Sequence, residues 1–407
     1  MANKLYEEND IQAIADAIRL KNGSTDKYKV SEMATAIEGI PSGGNLEDFI
    51  PEEAFHISGN CSYRFANGMY DWLLERYGDR MTSFNITNST RMFFGSNIKQ
   101  IPFDLNYADG GCDAAYMLNS CRNVKSIQDI DFKQTSAKDC NNLFGYSSNI
   151  EQIGKLSNLF PSFMNSMFHS IFKLRYLPDF EGLNLSYIQT NTSSRCHSLF
   201  ANNYSLREIP EDFLKQLYVS HSNVNYVQFR EMFMFNYALD EIVGLNPQTG
   251  TLTSNAFVNT FDSDSRVKDI IFAIQENGTP YSVNWKSQTI NLTTNVGYAN
   301  SLNKIINYNS GITTDKRVTN DSTYQALKND PDWFTTDVNY SRYNHDSAVN
   351  TINSLPDTSA YLASNGGTNT IKFKGESGAL TDGGAINTLT DAEIAVATVK
   401  GWTVAFA

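Results

Sequence analysis

The sequence predicts an α/β solenoid, an irregular stack of short parallel strands and short helices or turns, with a helical hairpin before it and a helix-strand cap after it. An apolar pattern recurs at intervals of 24 to 35 residues through the middle of the chain. Periods of roughly 20–50 residues are typical of repeat architectures, in which each unit covers the apolar face of its neighbour. The length of 407 residues also exceeds one ordinary domain of about 100–200 residues, so a repeat array or several units are expected.

Residues 1–40 are predicted to form the helical hairpin. Apolar residues recur at helical spacing within residues 9–21 and again within residues 31–38. Two helices of this length bury little surface alone, so we expect this module to attach to a partner or to a copy of itself. Residues 41–44 are predicted to form a linker, within a longer linker and pre-repeat segment at residues 41–91. The apolar face of the hairpin consists of Ile11, Ile14, Ile18, Met33 and Ile37.

Residues 92–310 carry the recurring pattern and are predicted to form the solenoid. In each unit an apolar residue is followed six positions later by a second, and three positions after that by a third. Four units open with an aliphatic residue followed by Phe, so we expect the Phe side chains to form a buried spine behind a narrow parallel sheet. The predicted triplets are Met92/Ile98/Ile101, Leu118/Val124/Ile127, Phe144/Ile150/Ile153, Phe168/Leu174/Leu177, Phe200/Leu206/Ile209, Phe233/Leu239/Ile242, Phe261/Val267/Ile270 and Val296/Leu302/Ile305.

Residues 311–407 are predicted to end in a terminal repeat that caps the stack. A helix is expected to start within Leu389-Thr390-Asp391, to stop at Lys400-Gly401, and to lead into a strand at Trp402-Thr403-Val404. Residues 345–357, followed by the segment TNTIKFKG, form the preceding helix-strand unit in this prediction. A closing unit is what a stack of strands needs to cover its last sheet edge.

Charge and cysteine content restrict the classes of partner. The net charge is −12, and no run of basic residues offers a footprint for phosphate, so nucleic acid is not an expected partner. No stretch of 18 apolar residues predicts a membrane span, and the N-terminus lacks the cationic start of a signal peptide. The five Cys are odd in number and form no CxxC pair, which predicts reduced, mostly buried thiols in a protein folded in a cytosol.

No pattern of residues predicts catalysis, so no catalytic, cofactor-binding or metal-ligating residue is assigned, and a non-enzymatic protein without cofactors is expected. Cys196 and His197 are the only adjacent Cys/His pair, but Cys196 falls in the predicted spine. Asp262, Asp264 and Asp269 do not follow the spacing of a calcium loop. The five dispersed His residues, expected to be structural, are His56, His169, His197, His221 and His345.

The repeat units resemble a known family. The segment LNSCRNVKSI at residues 118–127, together with FGYSSNIEQI, FHSIFKLRYL and FANNYSLREI, resembles the FxxCxxLxxI unit of BspA-like leucine-rich repeats. Residues 131–144 are similar to the segment that precedes each Met-Phe in related surface-protein repeats. The resemblance covers residues 90–310 and implies an irregular leucine-rich-repeat solenoid, although most units here lack the Cys.

Both ends of the chain carry a further resemblance. The C-terminus resembles the ends of such repeat proteins in bacterial surface and phage proteins. The segment IADAIRLKNGSTDKYKVSEMATAIEGI is similar to the starts of tail and baseplate proteins of bacteriophages that infect low-GC bacteria. This implies a structural virion protein of the tail, baseplate or fibre, assembled in the host cytoplasm and attached through its N-terminal segment to other virion proteins, with a homo-oligomer expected.

The repeat region is expected to bind a host cell-surface protein or glycan, or a neighbouring subunit. Residues 186–194 and 218–229 are rich in Asn, Ser, Thr and Tyr, and are either protruding binding inserts or simple connectors. One alternative function is a bacterial cell-surface leucine-rich-repeat adhesin, which needs an export signal and usually a wall anchor. Another is a tail-associated polysaccharide-degrading enzyme, which needs two carboxylates about 5–10 Å apart in a cleft.

Overall fold

The computed structural model describes residues 52–190, 195–217, 229–246, 256–262, 267–281, 285–293, 343–374 and 389–407, with residues 12, 15, 16, 18, 19, 32 and 50. The chain divides into two compact units, Met1–His56 and Ile57–Ala407. In the first unit residues 12, 15, 16, 18, 19 and 32 are helical, which agrees with the predicted hairpin, and Ala15 and Ile18 are buried. The predicted linker at residues 41–44 lies outside the described residues.

The second unit consists of short strands and short helices. None of the helices in the described part is long and apolar enough to cross a lipid bilayer. The helices are α1 (Asp71–Tyr77), α2 (Ser186–Thr190), α3 (Glu211–Gln216), α4 (His345–Ser354), α5 (Ser359–Asn365) and α6 (Asp391–Val399), with 3-10 turns at Ala66–Gly68 and Gly78–Arg80; a further 3-10 turn, Glu52–Phe55, lies in the first unit. The strands are β1 (His56–Asn60), β2 (Thr82–Asn88), β3 (Ser126–Ile127), β4 (Ile130–Asp131), β5 (Lys138–Asp139), β6 (Gln152–Ile153), β7 (Leu156–Ser157), β8 (Pro161–Phe163), β9 (Phe180–Glu181), β10 (Glu241–Leu245), β11 (Asp269–Phe272), β12 (Thr289–Asn291), β13 (Asn369–Phe373) and β14 (Trp402–Phe406).

The sheets contain two or three strands each. The pairs β3–β6, β4–β7–β9, β5–β8, β10–β11 and β12–β13–β14 are all parallel. Ile127 lies opposite Ile153, and Ile242 lies opposite Ile270, so the register pairs the third apolar position of one unit with that of the next. The parallel pairing of equivalent positions agrees with the repeat pattern, while the leucine-rich-repeat solenoid itself stays a prediction.

Much of the stacking depends on a turn segment, which we define as the stretch from four residues before each spine residue to three after it. In the segment around Phe168, the N–H of Phe168 donates to the carbonyl of Leu199 in the next unit (3.1 Å), and the N–H of Ser170 donates to that of Ala201 (2.9 Å). The intervening N–H of His169 instead donates within its own segment. The same alternation identifies the spine residues as Phe65, Phe93, Leu118, Phe144, Phe168, Phe200, Phe233 and Phe261.

These hydrogen bonds between successive turn segments form a ladder, which differs from the predicted repeat in two respects. It includes Phe65, so stacking begins within the segment that was predicted as linker and pre-repeat. Phe93 rather than Met92 occupies the spine position of the first predicted unit, because its N–H donates to the carbonyl of Met117 (2.9 Å). The buried Ile98 lies five positions after Phe93, whereas in later units the second apolar residue lies six positions after the spine residue. A prediction that assumes six positions in every unit therefore assigns Met92 in place of Phe93.

Each turn segment from Phe65 to Phe233 holds residues in the left-handed region two positions before and two after the spine residue. Ser166 and Ser170 around Phe168 have φ of 54° and 58°, and Ser198 and Asn202 around Phe200 have φ of 53° and 60°. Few residue types adopt positive φ readily, and Asn is among the most tolerant. Together with the hydrogen bonds between residues three apart, these angles give consecutive β-turns with no strand or helix.

From Phe144 to Phe261 the spine is a continuous column of stacked rings. The centroids of Phe144, Phe168, Phe200, Phe233 and Phe261 follow one another at 5.7, 5.9, 6.0 and 6.1 Å, with interplanar angles of 26° or less. Every described member of the predicted triplets is buried except the half-buried Leu177, which confirms the predicted core. The eighth triplet, Val296, Leu302 and Ile305, lies outside the described residues.

Polar side chains three residues after the spine are buried beside it. The side chain of Asn203 accepts a hydrogen bond from the N–H of Ile171 in the preceding unit (2.8 Å). Ser147 likewise accepts from the N–H of Cys121 (2.9 Å). These side chains accept hydrogen bonds from buried backbone N–H groups that do not take part in the ladder. An unpaired buried N–H would lower the stability of the fold.

The C-terminal elements form where the sequence predicts them. Helix α6 starts after Thr390, whose hydroxyl forms a capping box with Glu393, and ends before Gly401, which has φ of 83°. Strand β14 then begins at Trp402, whose indole packs against Trp285 (centroids 4.9 Å apart). The helix-strand unit α4 and β13 also confirms the prediction, whereas α5 between them was not predicted. Strand β14 is itself the outer strand of its sheet among the described residues.

Truncating the spine should destabilise the protein. We expect Phe168→Ala and Phe200→Ala each to lower the free energy of unfolding by about 3–5 kcal/mol, because both rings are fully buried. Denaturant melts measure this, with the exposed Tyr176→Ala as the control, expected to change stability by less than about 0.5 kcal/mol. Losses below about 1 kcal/mol for both Phe variants would contradict the stacked core.

The buried amide of Asn203 should contribute separately. Asn203→Ala removes the acceptor of the buried Ile171 N–H, and we expect a loss of about 1–3 kcal/mol in thermal or chemical unfolding. The matched control is Asn123→Ala, because the amide of Asn123 also bridges two units but is exposed. Equal losses of unfolding free energy for the two variants would show that burial does not increase the contribution of Asn203 to stability.

Candidate functional site

A line of exposed side chains runs along one face of the stack, and we call it the outer column. In each unit two residues lie between the second and third apolar positions, as Lys125 and Ser126 lie between the buried Val124 and Ile127. The second of each pair forms the outer column. Its members are Gln100, Ser126, Gln152, Tyr176, Glu208, Glu241 and Asp269, all exposed except the half-buried Asp269.

Strand pairing places these positions side by side. Ser126 lies opposite Gln152, Tyr176 opposite Glu208, and Glu241 opposite Asp269. Neighbouring strands lie about 4.8 Å apart, so the side chains follow one another at about that spacing. Backbone hydrogen bonds join the preceding residues at two further junctions, from Lys125 to Lys99 and from Asp240 to Arg207. Between Gln152 and Tyr176 the register follows from Leu156 and Phe180, which lie opposite each other four residues later, so seven consecutive units contribute one side chain each to this line.

Two open grooves lie along the outer column, one on each side of the junction between Gln152 and Tyr176. The first, of about 500 Å³, is lined by Gln100, Ser126 and Gln152. The second, of about 390 Å³, is lined by Tyr176, Glu208 and Glu241. Helix α3 contributes Glu211 to the second groove, so the long interval between Phe200 and Phe233 supplies part of its wall.

The first half of the outer column is uncharged and keeps its hydrogen-bonding capacity. The side chains of Gln100, Ser126 and Gln152 form no hydrogen bond within the described part of the chain. Tyr176 follows them with 59% of its surface exposed, whereas the spine rings of the same units are fully buried. Amide and hydroxyl groups can both donate and accept, so this half can bind polar ligands.

The second half is acidic but largely paired within the protein. Lys268 lies 3.6 Å from Glu241, and Lys215 lies 2.6 Å from Glu211. The hydrogen bond that Lys215 donates to Glu211 raises the pKa of Lys215 above its ordinary value. Asn350 of α4 donates to Asp269 (3.3 Å). These contacts occupy several of the carboxylates around the second groove.

Stacking also brings together basic residues that are scattered in the sequence. The residue before each outer-column position is basic in five of seven units, and acidic residues interrupt the row. Glu151, one of the two interruptions, pairs with Lys173 at 3.3 Å. In the sequence, these basic residues occupy the same position in successive repeat units. The register between units is needed to show that they form a row in space. Its members are Lys99, Lys125, Glu151, Arg175, Arg207, Asp240 and Lys268.

The polar segments that the sequence singles out fall partly outside the described residues. Residues 186–190 form α2, whereas residues 191–194 and 218–228 are not among the described ones. Arg195, next to the first gap, is buried over the ring of Phe163, with its guanidinium carbon 3.5 Å from the ring centroid. Whether the two segments protrude as binding inserts stays a prediction.

The five cysteines are all free and buried, as predicted. Cys196 is fully buried, and burial raises the pKa of its thiol to about 12. The neighbouring His197 lies instead beside Glu231 of the next unit (3.4 Å), and burial lowers the pKa of its imidazole. Adjacent positions in the sequence thus face different surroundings, and they do not form a nucleophile and base.

The other described histidines are bound to neighbouring residues. The ring of His169 lies 4.7 Å from that of Tyr146 and hydrogen-bonds to Ser170 (2.8 Å). His345 contacts Asp346 and Glu393, and the hydrogen bond to Asp346 raises the pKa of His345. Within the described ranges, no three His, Cys, Asp or Glu side chains come together in a way that could hold a metal ion.

The buried thiols should be inert in the native protein. At pH 8 we expect Cys121 and Cys196 to resist iodoacetamide, because burial raises the pKa of each thiol to about 12 and leaves almost no thiolate. Mass spectrometry of the native protein measures this, and the same protein unfolded in guanidinium is the control, in which all five Cys should react. Native reaction of Cys196 at the rate of a free thiol would restore the possibility of an activated nucleophile.

Comparison with known proteins adds no relative. No protein family, no curated protein sequence and no solved structure matches this chain. What the protein does is therefore inferred from its own residues.

Proposed function

We propose that the chain is a non-enzymatic structural component of a phage virion, in the tail, baseplate or a fibre, and that its repeat region binds a host surface or a neighbouring subunit. The outer column is the observation that carries this proposal. It aligns one side chain from each of seven units, six of them exposed, which is an arrangement suited to binding an extended partner.

The fold within this proposal is an irregular leucine-rich-repeat solenoid. Parallel pairing of equivalent positions and the continuous Phe spine support it. The unequal intervals between units also support this fold. The intervals after Phe168 and Phe200 are longer than those before them, and the additional residues include the helices α2 and α3. The irregularity agrees with a stack whose turn segments carry the pairing.

Attachment to other virion proteins is assigned to the N-terminal segment. Met1–His56 forms a compact unit of its own, which supports a module that functions separately from the repeats. Its helical residues and the resemblance of its sequence to the starts of tail and baseplate proteins point in the same direction. In this proposal the protein assembles in the host cytoplasm as a homo-oligomer and leaves the cell within the particle.

Negative-stain microscopy of purified particles, with a labelled antibody against the chain, tests this function. We expect label at one defined position on the tail or baseplate of each particle. Label on the walls of uninfected cells, with none on particles, would favour the bacterial adhesin instead. Release of reducing sugar from host polysaccharide by the purified chain would favour a tail-associated enzyme.

Removing the N-terminal module should abolish incorporation. A chain that starts at residue 45 retains the whole unit Ile57–Ala407, so we expect it to fold and to be missing from assembled particles. Immunoblots of purified particles measure incorporation, and thermal melts report folding. Within the full chain, Ile18→Ser should weaken incorporation because Ile18 is buried, while Gln12→Ala, at an exposed helical residue of the same unit, is the control. Normal incorporation of the shortened chain would contradict attachment through this module.

A further inference from the structure

The first half of the outer column has the spacing of a chain of small repeating groups. Gln100, Ser126, Gln152 and Tyr176 come from four consecutive units. At about 4.8 Å per strand, these four positions span about 14 Å along the stack. A linear polymer lying across the strands, with a repeat close to the strand spacing, would present one repeating group to each position.

The chemistry of these positions favours a sugar polymer. Amide and hydroxyl side chains donate and accept hydrogen bonds at once, as sugar hydroxyls do. The side chains of Gln100, Ser126 and Gln152 form no such bond within the described residues, so they enter binding without breaking contacts of their own. Each hydroxyl of a bound sugar can therefore exchange hydrogen bonds with water for hydrogen bonds with the protein.

Tyr176 supplies the apolar part of this recognition. It is the only aromatic residue of the outer column, and its ring is 59% exposed. An exposed aromatic ring with a polar tip can stack on the C–H face of a sugar ring while its hydroxyl remains solvated. The ring stands at the end of the uncharged half, where it can hold the terminal sugar of a bound segment.

The surroundings argue against two other ligand classes. Lys99 and Lys125 directly precede two of the groove residues in the chain, whereas Asp104 and Asp129 line the groove, so neither a polyanion nor a polycation meets a surface of one sign. Small apolar ligands bind in concave pockets lined mainly by hydrophobic side chains, whereas this groove is open and mostly polar. The balance of charge favours an uncharged ligand.

We propose that the outer column from Gln100 to Tyr176 binds a linear, uncharged polysaccharide laid along the stack. Gln100, Ser126 and Gln152 hydrogen-bond to successive sugar units along the first groove, and the ring of Tyr176, at the next position, stacks on the sugar that follows them. The inference rests on the proposed function, because it names the ligand class of the host-surface contact. The same geometry implies that binding depends on glycan length.

The experiment uses the full chain and an array of linear neutral oligosaccharides from disaccharides to octasaccharides, followed by calorimetric titration with the best binder. Affinity is expected to rise with length and to level off near the trisaccharide or tetrasaccharide, because four positions span only about 14 Å. Tyr176→Ala and Gln152→Ala should each weaken binding, the Tyr variant by about tenfold. The matched control is Trp72→Ala, which removes an aromatic side chain of similar exposure (49%) outside the outer column and should leave affinity unchanged.

Several outcomes would overturn this inference. Absence of binding to every oligosaccharide of the array would overturn it. If particles that carry the chain still adsorb to host cells in that case, the proposed function stands although the polysaccharide inference fails. Binding that is insensitive to Tyr176→Ala and Gln152→Ala, or that prefers charged polysaccharides, would also overturn it. Length-dependent binding that both variants weaken supports the inference, even if the chain proves to be missing from virus particles and the proposed function fails.

Discussion

In the turn segments from Phe65 to Phe233, alternate backbone N–H groups donate to carbonyls of the following unit, and much of the second compact unit is organised by this interaction. The remaining N–H groups bond within their own segment, between residues three apart. The left-handed residues on either side of each spine position provide this alternation, because they reverse the direction of the backbone twice in a few residues. Buried backbone groups are thereby satisfied in a segment that is neither strand nor helix.

The aromatic spine follows from this ladder. Because equivalent residues are hydrogen-bonded unit to unit, their side chains repeat at nearly constant spacing, and the Phe rings stack at 5.7 to 6.1 Å from Phe144 to Phe261. The position three residues later repeats in the same way, which explains why Ser147 and Asn203 can be buried and still accept hydrogen bonds. Intervals of unequal length do not disturb either column, because α2 and α3 lie between the turn segments.

The outer column has the same origin as the core. A repeat that aligns buried side chains on one face also aligns exposed side chains on another, so chemistry that is dispersed in the sequence becomes continuous in space. Gln152 and Tyr176 are 24 residues apart in the chain, yet they occupy equivalent positions of consecutive units. A binding function can therefore change by surface substitution alone, without cost to the spine.

Apolar periodicity in the sequence was sufficient to predict the buried triplets, the parallel stacking of equivalent positions and the helix-strand units at the C-terminus. These features depend on burial and local capping, which nearby residues encode, as Thr390 and Glu393 show. The left-handed turns, the turn segment around Phe65 and the position of Phe93 in the spine could not be predicted from the sequence. Hydrogen bonds between units determine them, so they required the tertiary structure. The outer column was equally hidden, since its members share no local motif: side chains some 24 to 33 residues apart become neighbours only when the backbone register of stacked units brings them together.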